Sequence, residues 1–308
     1  MTLDRTVEPV MAARRAASFT KRSIKSSSKR QGLRLALSMV DLTTLEGKDS
    51  PEKVRSLCHK AIRPWEGALK EPVPSVAAVC VYPMLVPTAC TALRGSTVKV
   101  AAVASGFPSG QFPLKVRLAD CAAAVEAGAD EIDMVISRGL FLAGQHDLIR
   151  EEIRQIRRAC GGAHLKIILE TGELGGLDAV RRASDLAIEA ACSAPGAPPP
   201  RDGHIFIKTS TGKVQPAATM PVTLVMLEAI RDHFDRTGLR IGMKPAGGIR
   251  TAKSALHYLV MVKETLGDAW LSPTLFRFGA SALANDLLRQ IVRLERGTYM
   301  AADDFSEA

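Results

Sequence analysis

The stretch "HIFIKTSTGKV", residues 204–214, sets a lysine, Lys208, in a run that otherwise reads as a buried β-strand. A second lysine, Lys244, takes a similar place in "LRIGMKPAGG" (239–248). With the two-residue period of a strand, His204, Phe206, Lys208 and Ser210 share one face, and Ile205, Ile207 and Thr209 the other. Neighbouring strands lie about 4.8 Å apart, so lysines from adjacent strands can reach one small cavity. Two ammonium groups about 4 Å apart repel by about 4 kcal/mol at an effective dielectric near 20. That is roughly three pK units, before any carboxylate offsets part of it, and desolvation pushes the same way. One of the pair can then be a neutral amine near neutrality, and a neutral amine attacks carbonyls. A lone lysine in such a run would be read as snorkelling or salt-bridged. Two on adjacent strands, with Asp133 at the same rim, favour the reactive reading.

These side chains need a scaffold, and the chain supplies a repeated rhythm of apolar run, turn signal and helical pattern. The strand candidates are residues 38–45, 76–83, 97–108, 131–136, 164–172, 204–212, 239–248 and 276–281. Amphipathic stretches such as "HDLIREEIRQIRRAC" and "DAVRRASDLAIEAAC" lie between them. Near-continuous apolar strands alternating with helices call for a parallel sheet covered by helices. Eight such units predict an α/β fold, a (β/α)8 TIM barrel over 36–297, with a basic N-terminal extension (1–35) and a C-terminal tail (298–308). An open doubly wound sheet would be favoured by a GxGxxG turn after the first strand, which is absent. "SAPGAPPPRDG" (193–203) reads as a surface loop, and the tail lacks a core pattern.

Barrel active sites form at the C-terminal strand ends, and the unexpected polar residues lie late in their strands: Asp41, Cys80, Asp133, Glu170, Lys208 and Lys244. Glycine-rich corners "STGK", "KPAGGIR" and "RFGAS" close the last three strands, where backbone N–H groups can cradle an anion such as phosphate. "STGKV" is not a P-loop, because Val214 follows the lysine.

The 308 residues carry a net charge of +9, but nine Lys/Arg against Asp4 and Glu8 put +7 of it in the first 34 residues. The basicity therefore belongs to the extension, expected as a solvated or loosely helical tail. Its Arg- and Ser-rich, acid-poor composition is compatible with organelle targeting, and less so with a nuclear or anionic-surface contact. Six scattered cysteines without CxxC spacing, and no legible secretory leader, point to free thiols in a reducing, cytoplasmic compartment. The six histidines form no ligand-spaced cluster, so no metal site is expected. No apolar run approaches the length of a membrane span.

The stretches "DLTTL", "VCVYP", "GFPSGQ", "EIDMVI", "KIILETGEL", "FIKTSTGK", "KPAGGIRTA" and "RFGAS", in that order over about residues 36–290, resemble the deoxyribose-phosphate aldolase family. The resemblance implies a cofactor-free class I aldolase that reversibly cleaves 2-deoxy-D-ribose 5-phosphate into acetaldehyde and D-glyceraldehyde 3-phosphate, in deoxynucleotide catabolism. It implies Lys208 as Schiff-base lysine, Lys244 as the lysine that depresses its pKa, and Asp133 as general acid/base. Asp41 matches a supporting carboxylate, Cys80 a pocket thiol, and Thr209 a substrate-side residue. Gly212, Gly247, Gly248, Ser281 and Lys213 would hold the phosphate of the sugar. Two departures stand out: Ala282 replaces a second hydroxyl after Ser281, and the terminal tyrosine common in bacterial members is missing, which leaves Tyr299 to be placed. The partner expected is the phosphorylated sugar, without nucleic acid or membrane, and a homo-oligomer is compatible. Two other classes compete: a lysine barrel that binds pyridoxal phosphate, and an inactive barrel acting through its basic tail on nucleic acid or anionic membrane.

Overall fold

A computed structural model describes residues 6–301 and Phe305; Asp4 and Arg5 of the basic extension and most of the last seven residues lie outside that description. Eight strands alternate with helices: β1 (Val40–Thr43), β2 (Ala78–Val81), β3 (Lys99–Ala104), β4 (Glu131–Val135), β5 (His164–Ile168), β6 (Ile205–Lys208), β7 (Gly242–Lys244) and β8 (Phe278–Ala280). Each falls inside one of the eight runs expected from the sequence. The helices are α1 (Pro9–Phe19), α2 (Ser26–Ser38), α3 (Pro51–Ile62), α4 (Val86–Ala92), α5 (Leu114–Glu126), α6 (Arg138–Leu142), α7 (His146–Ala159), α8 (Leu177–Cys192), α9 (Met220–Thr237), α10 (Ala252–Leu266) and α11 (Ala282–Arg296).

The strands pair in parallel in the order β7-β6-β5-β4-β3-β2-β1-β8. Backbone bonds then close β7 onto β8, from Met243 N to Leu275 O (2.9 Å), Arg277 N to Met243 O (3.0 Å) and Gly279 N to Pro245 O (2.9 Å). The result is the expected (β/α)8 barrel. The strands are apolar on both sides because both are buried: Ile205 and Ile207 join the large core under the helices, while Phe206 and Lys208 alternate with them.

The barrel interior is divided. On the β1–β3 side Leu45, Ala78, Cys80, Ala101 and Val103 form a small apolar cluster. Opposite them stand buried charges from β1, β4, β5, β6, β7 and the start of β8. Glycine makes room for them. A Cβ at Gly242 would fall 2.5 Å from the Phe206 ring, and one at Gly279 would fall 3.1 Å from Lys244 Cε.

The extension folds onto the barrel as two helices. Proline at N1 and the Glu8 carboxylate, which accepts from the N–H groups of Val10 and Met11, start α1. Ala16 and Phe19 of α1, and Leu33, Ala36 and Leu37 of α2, are buried. Three of the extension's arginines pair with glutamates on three successive outer helices: Arg15 with Glu228 of α9, Arg22 with Glu264 of α10, and Arg34 with Glu295 of α11. Of the expected solvated or loosely helical tail, the helical form is the one seen, as a docked helical pair whose basic residues answer acidic helix faces. At the other end, Phe305 is buried and its ring lies 5.7 Å from that of Trp65, so the tail carries a core residue its composition did not suggest.

Candidate active site

Lys208 ends β6 and Lys244 ends β7, in direct register. Both side-chain nitrogens donate to one atom, Asp133 Oδ2, each at 2.8 Å. The two nitrogens are therefore at most twice that distance apart, on one wall of the barrel. Lys244 also contacts Asp41 Oδ2 at 2.6 Å. All four groups are buried, with Lys208 nearest the mouth at 3% exposure.

Below them lies a tier of charge that reasoning from the sequence did not single out. Lys166 of β5 donates to Asp133 Oδ1 (2.9 Å) and to Glu131. Arg277 reaches Asp41 Oδ1 (2.6 Å) and Glu131 Oε1 (2.9 Å). Part of the signal was present, since Glu131 shares the inward parity of Asp133; that Lys166 is the register partner of Asp133 on β5 is seen only in the strand pairing.

The whole network holds three carboxylates, Asp41, Glu131 and Asp133, against four basic groups, Lys166, Lys208, Lys244 and Arg277. It is neutral only when one basic group has lost its proton. Burial and the lysines around it decide which. Burial lowers the Lys208 amine from its ordinary value and Lys244 pushes the same way, against the pull of Asp133. Burial alone would lower Lys244 as well, but Asp133 and Asp41 together hold its ammonium above the ordinary value. Lys166 and Arg277 are likewise held charged, by Asp133 and Glu131 and by Asp41 and Glu131 respectively, against the cost of their burial. Asp133 would be raised by burial, yet Lys166, Lys208 and Lys244 hold it well below the usual carboxylate range. Of the four basic groups, Lys208 is the one pushed below its ordinary value. Desolvation leads this shift and the neighbouring cation assists, the reverse of the weighting that like-charge repulsion suggested.

Above Lys208 opens a cleft of about 400 Å³ walled by Thr43, Thr44, Glu46, Lys53, Thr211, Gly212, Lys213, Gly247, Gly248, Arg250, Ser281 and Ala282, among others. Gly212, Gly247, Gly248, Ser281 and Lys213 thus face one space with Lys208. Gly247 has φ +78° and a Cβ there would sit 2.7 Å from that of Ala217, so only glycine lets this loop turn against the one after β6. Glu170, at φ 54° just past β5, is buried and accepts from Thr211 N (3.2 Å) and from the Thr211 hydroxyl, which pins the β6 loop.

Other expected residues sit elsewhere. Thr209 does not line this cleft: its hydroxyl donates to Ala246 O (3.2 Å) and accepts from Ala246 N (2.9 Å), stitching the ends of β6 and β7 together. Asp41 lies beneath the lysines, away from the cleft wall. Cys80 is buried in the barrel, and burial, with Asp133 nearby, pushes its thiol up. Tyr299 is exposed under the Arg293 guanidinium, 3.9 Å from the ring centroid, and does not line the cleft.

A closed (β/α)8 barrel with buried lysines beneath a cleft at the C-terminal strand ends has the architecture of a barrel enzyme. The model of the DeoC/LacD family of aldolases matches residues 35–289, and the chain belongs to that family. A human protein named deoxyribose-phosphate aldolase is 47% identical over 304 residues, which covers 96% of this chain and 92% of that protein. Among solved structures, one from Toxoplasma gondii ME49, provisionally named a deoxyribose-phosphate aldolase, superposes with a TM-score of 0.71 at 23% identity, over 90% of this chain and all of that one. The tetrameric deoxyribose phosphate aldolase of Aeropyrum pernix gives a TM-score of 0.58 at 21% identity, over 88% of this chain and all of that one. At these identities the two structures speak for the fold alone. Among the described residues no helix is long and apolar enough to cross a membrane.

Proposed function

We propose that this aldolase cleaves 2-deoxy-D-ribose 5-phosphate reversibly into acetaldehyde and D-glyceraldehyde 3-phosphate, with Lys208 as the nucleophile. The observation that carries the residue assignment is the charge count: three buried carboxylates already have three cations, so Lys208 is the surplus base. Its neutral Nζ adds to the C1 aldehyde of the open-chain sugar, and loss of water gives a protonated imine. That imine is a cation formed 2.8 Å from Asp133 Oδ2, an anion already in place to stabilise it. The C3 hydroxyl then loses its proton to the Asp133–Lys244 pair, directly or through one water. The C2–C3 bond breaks, its electrons pass to the imine as an enamine, and glyceraldehyde 3-phosphate leaves. Protonation of the enamine at C2, followed by hydrolysis, releases acetaldehyde and regenerates the amine.

The phosphate is assigned to the far end of the cleft, among the backbone N–H groups of Gly212, Gly247 and Gly248, Ser281 at the start of α11, and Lys213. All six cysteines are unpaired, which fits a reducing compartment, and the cytoplasm is the location we assign. Borohydride reduction in the presence of the sugar phosphate, followed by peptide mapping, tests the reading. The expected result is added mass on Lys208. An unmodified Lys208, or mass on another lysine, defeats the assignment.

A further inference from the structure

The cleft mouth is bridged. Lys213 Nζ, on the loop after β6, donates to Glu46 Oε1, on the loop after β1, at 2.8 Å. Two strands, β7 and β8, lie between these loops around the barrel, so the pair spans the space that the substrate must enter. Glu46 is the one acidic residue on the described cleft wall. Lys53, also on that wall, already has a carboxylate in Asp49 at 2.8 Å, and Asp49 Oδ2 accepts the Glu46 N–H as well. The backbone beneath Lys213 is fixed, because its N–H donates to Thr211 Oγ1 (3.1 Å) and Thr211 is held by Glu170. What can move is side chain. Those of Lys213 and Glu46 are 35% and 57% exposed, so parting them costs little.

We propose that Glu46 is a specificity-determining residue: its carboxylate occupies Lys213 while the cleft is empty, and the substrate phosphate takes that ammonium only by displacing it. A phosphate carries close to two negative charges near neutrality against one on a carboxylate, so the exchange favours substrate. The exchange nevertheless subtracts the Glu46–Lys213 interaction from what the phosphate gains. This chain therefore discriminates phosphorylated from unphosphorylated deoxyribose less sharply than an unopposed lysine would. The inference rests on the substrate reading above and adds to it what sets the preference for the phosphate.

The test is steady-state kinetics of the full chain on 2-deoxyribose 5-phosphate and on 2-deoxyribose, for wild type, Glu46→Gln, Lys213→Met and the double variant. Glu46→Gln should raise the ratio of the two kcat/KM values about two- to fivefold, with the gain shrinking as salt is added. In the Lys213→Met background the same change should do nothing. Inorganic phosphate, used as a competing anion, should inhibit Glu46→Gln at a correspondingly lower concentration. Each ratio is internal to one protein, so a partly misfolded preparation does not distort it. A ratio that is unchanged or falls, or a gain that persists without Lys213, overturns the role of Glu46 and leaves the aldolase reading standing. A wild type that does not turn over the phosphorylated sugar overturns both.

Discussion

Lys208 and Lys244 donate to the same oxygen, Asp133 Oδ2, each at 2.8 Å, from paired positions on β6 and β7. Removing the second lysine changes the first. In Lys244→Leu the three carboxylates keep only Lys166 and Arg277, and neutrality is restored when Lys208 holds its proton. The folded-state pKa of Lys208 rises, so the form that attacks becomes populated only at higher pH. The acid limb of the kcat/KM profile should move upward by about one to three units, with activity near neutrality lost and part of it recovered in alkali. An unshifted profile would show that Lys208 does not feel this neighbour.

The same count makes a prediction for a residue that touches no substrate. Arg277 balances Asp41 and Glu131 from the lower tier. Arg277→Met takes one partner from each of two buried carboxylates, Asp41 keeping Lys244 and Glu131 keeping Lys166, which should cost about 3–5 kcal/mol of stability and leave Lys208 protonated to balance the charge. Denaturant unfolding reads the first effect, and an alkaline shift of the pH–rate profile reads the second. A destabilised enzyme with a normal profile would separate the two tiers and break the charge argument. Lys208→Ala is the contrasting case. It leaves three charges against three, so turnover should vanish while the midpoint of unfolding stays near that of wild type.

The eight strands were legible because each is a short apolar run bounded by glycine or proline, and the site lysines because charge interrupts such runs at their ends. Lys166, Glu131 and Arg277 interrupt them too, but nearer the strand starts, where a charge reads as the edge of the strand. Only pairing shows that Lys166 stands opposite Asp133. The family resemblance implied Thr209 as a substrate-side residue. Alternation along the strand turns it off that face, and its hydroxyl serves the backbone of Ala246. The docking of the extension was hidden for a different reason. Leu33, Ala36 and Leu37 have helical spacing, but their partners lie some 220 residues or more away, and local composition cannot show that acidic residues on α9, α10 and α11 await the arginines.

That docking predicts what truncation would do. The Arg15–Glu228 and Arg22–Glu264 pairs are open to solvent on the arginine side, and screening leaves each of them weak. Arg34 differs. Its partner Glu295 is 5% exposed and also accepts the Lys70 N–H at 2.8 Å, while Arg34 itself caps Pro72 O at 2.6 Å. Arg34→Met should therefore destabilise by about 3 kcal/mol or more, and Arg22→Ala should leave the unfolding midpoint close to that of wild type. Deleting residues 1–34 should lower the unfolding temperature and promote association through the uncovered faces of α9–α11. A truncated protein as stable as the full chain would return the extension to the status of a passive tail.

At the opposite end of the barrel, His164 and His204 stack with ring centroids 4.4 Å apart. Burial lowers His164 from 6.5 to about 4, with His204, Lys166 and Arg277 pushing the same way and Glu131 opposing. His204 is lowered as well, by burial first. Between about 4 and 6.5 the unfolded chain binds a proton at His164 that the folded one does not, so stability rises with pH across that window and is lost as pH falls through it. Thermal unfolding should show the melting temperature dropping over this interval, whose upper part lies above the range in which the paired carboxylates titrate. His164→Asn should flatten that slope, and His164→Asn with His204→Asn should flatten it further. If both variants kept the wild-type slope, the acid sensitivity would have to be assigned to groups other than this stacked pair.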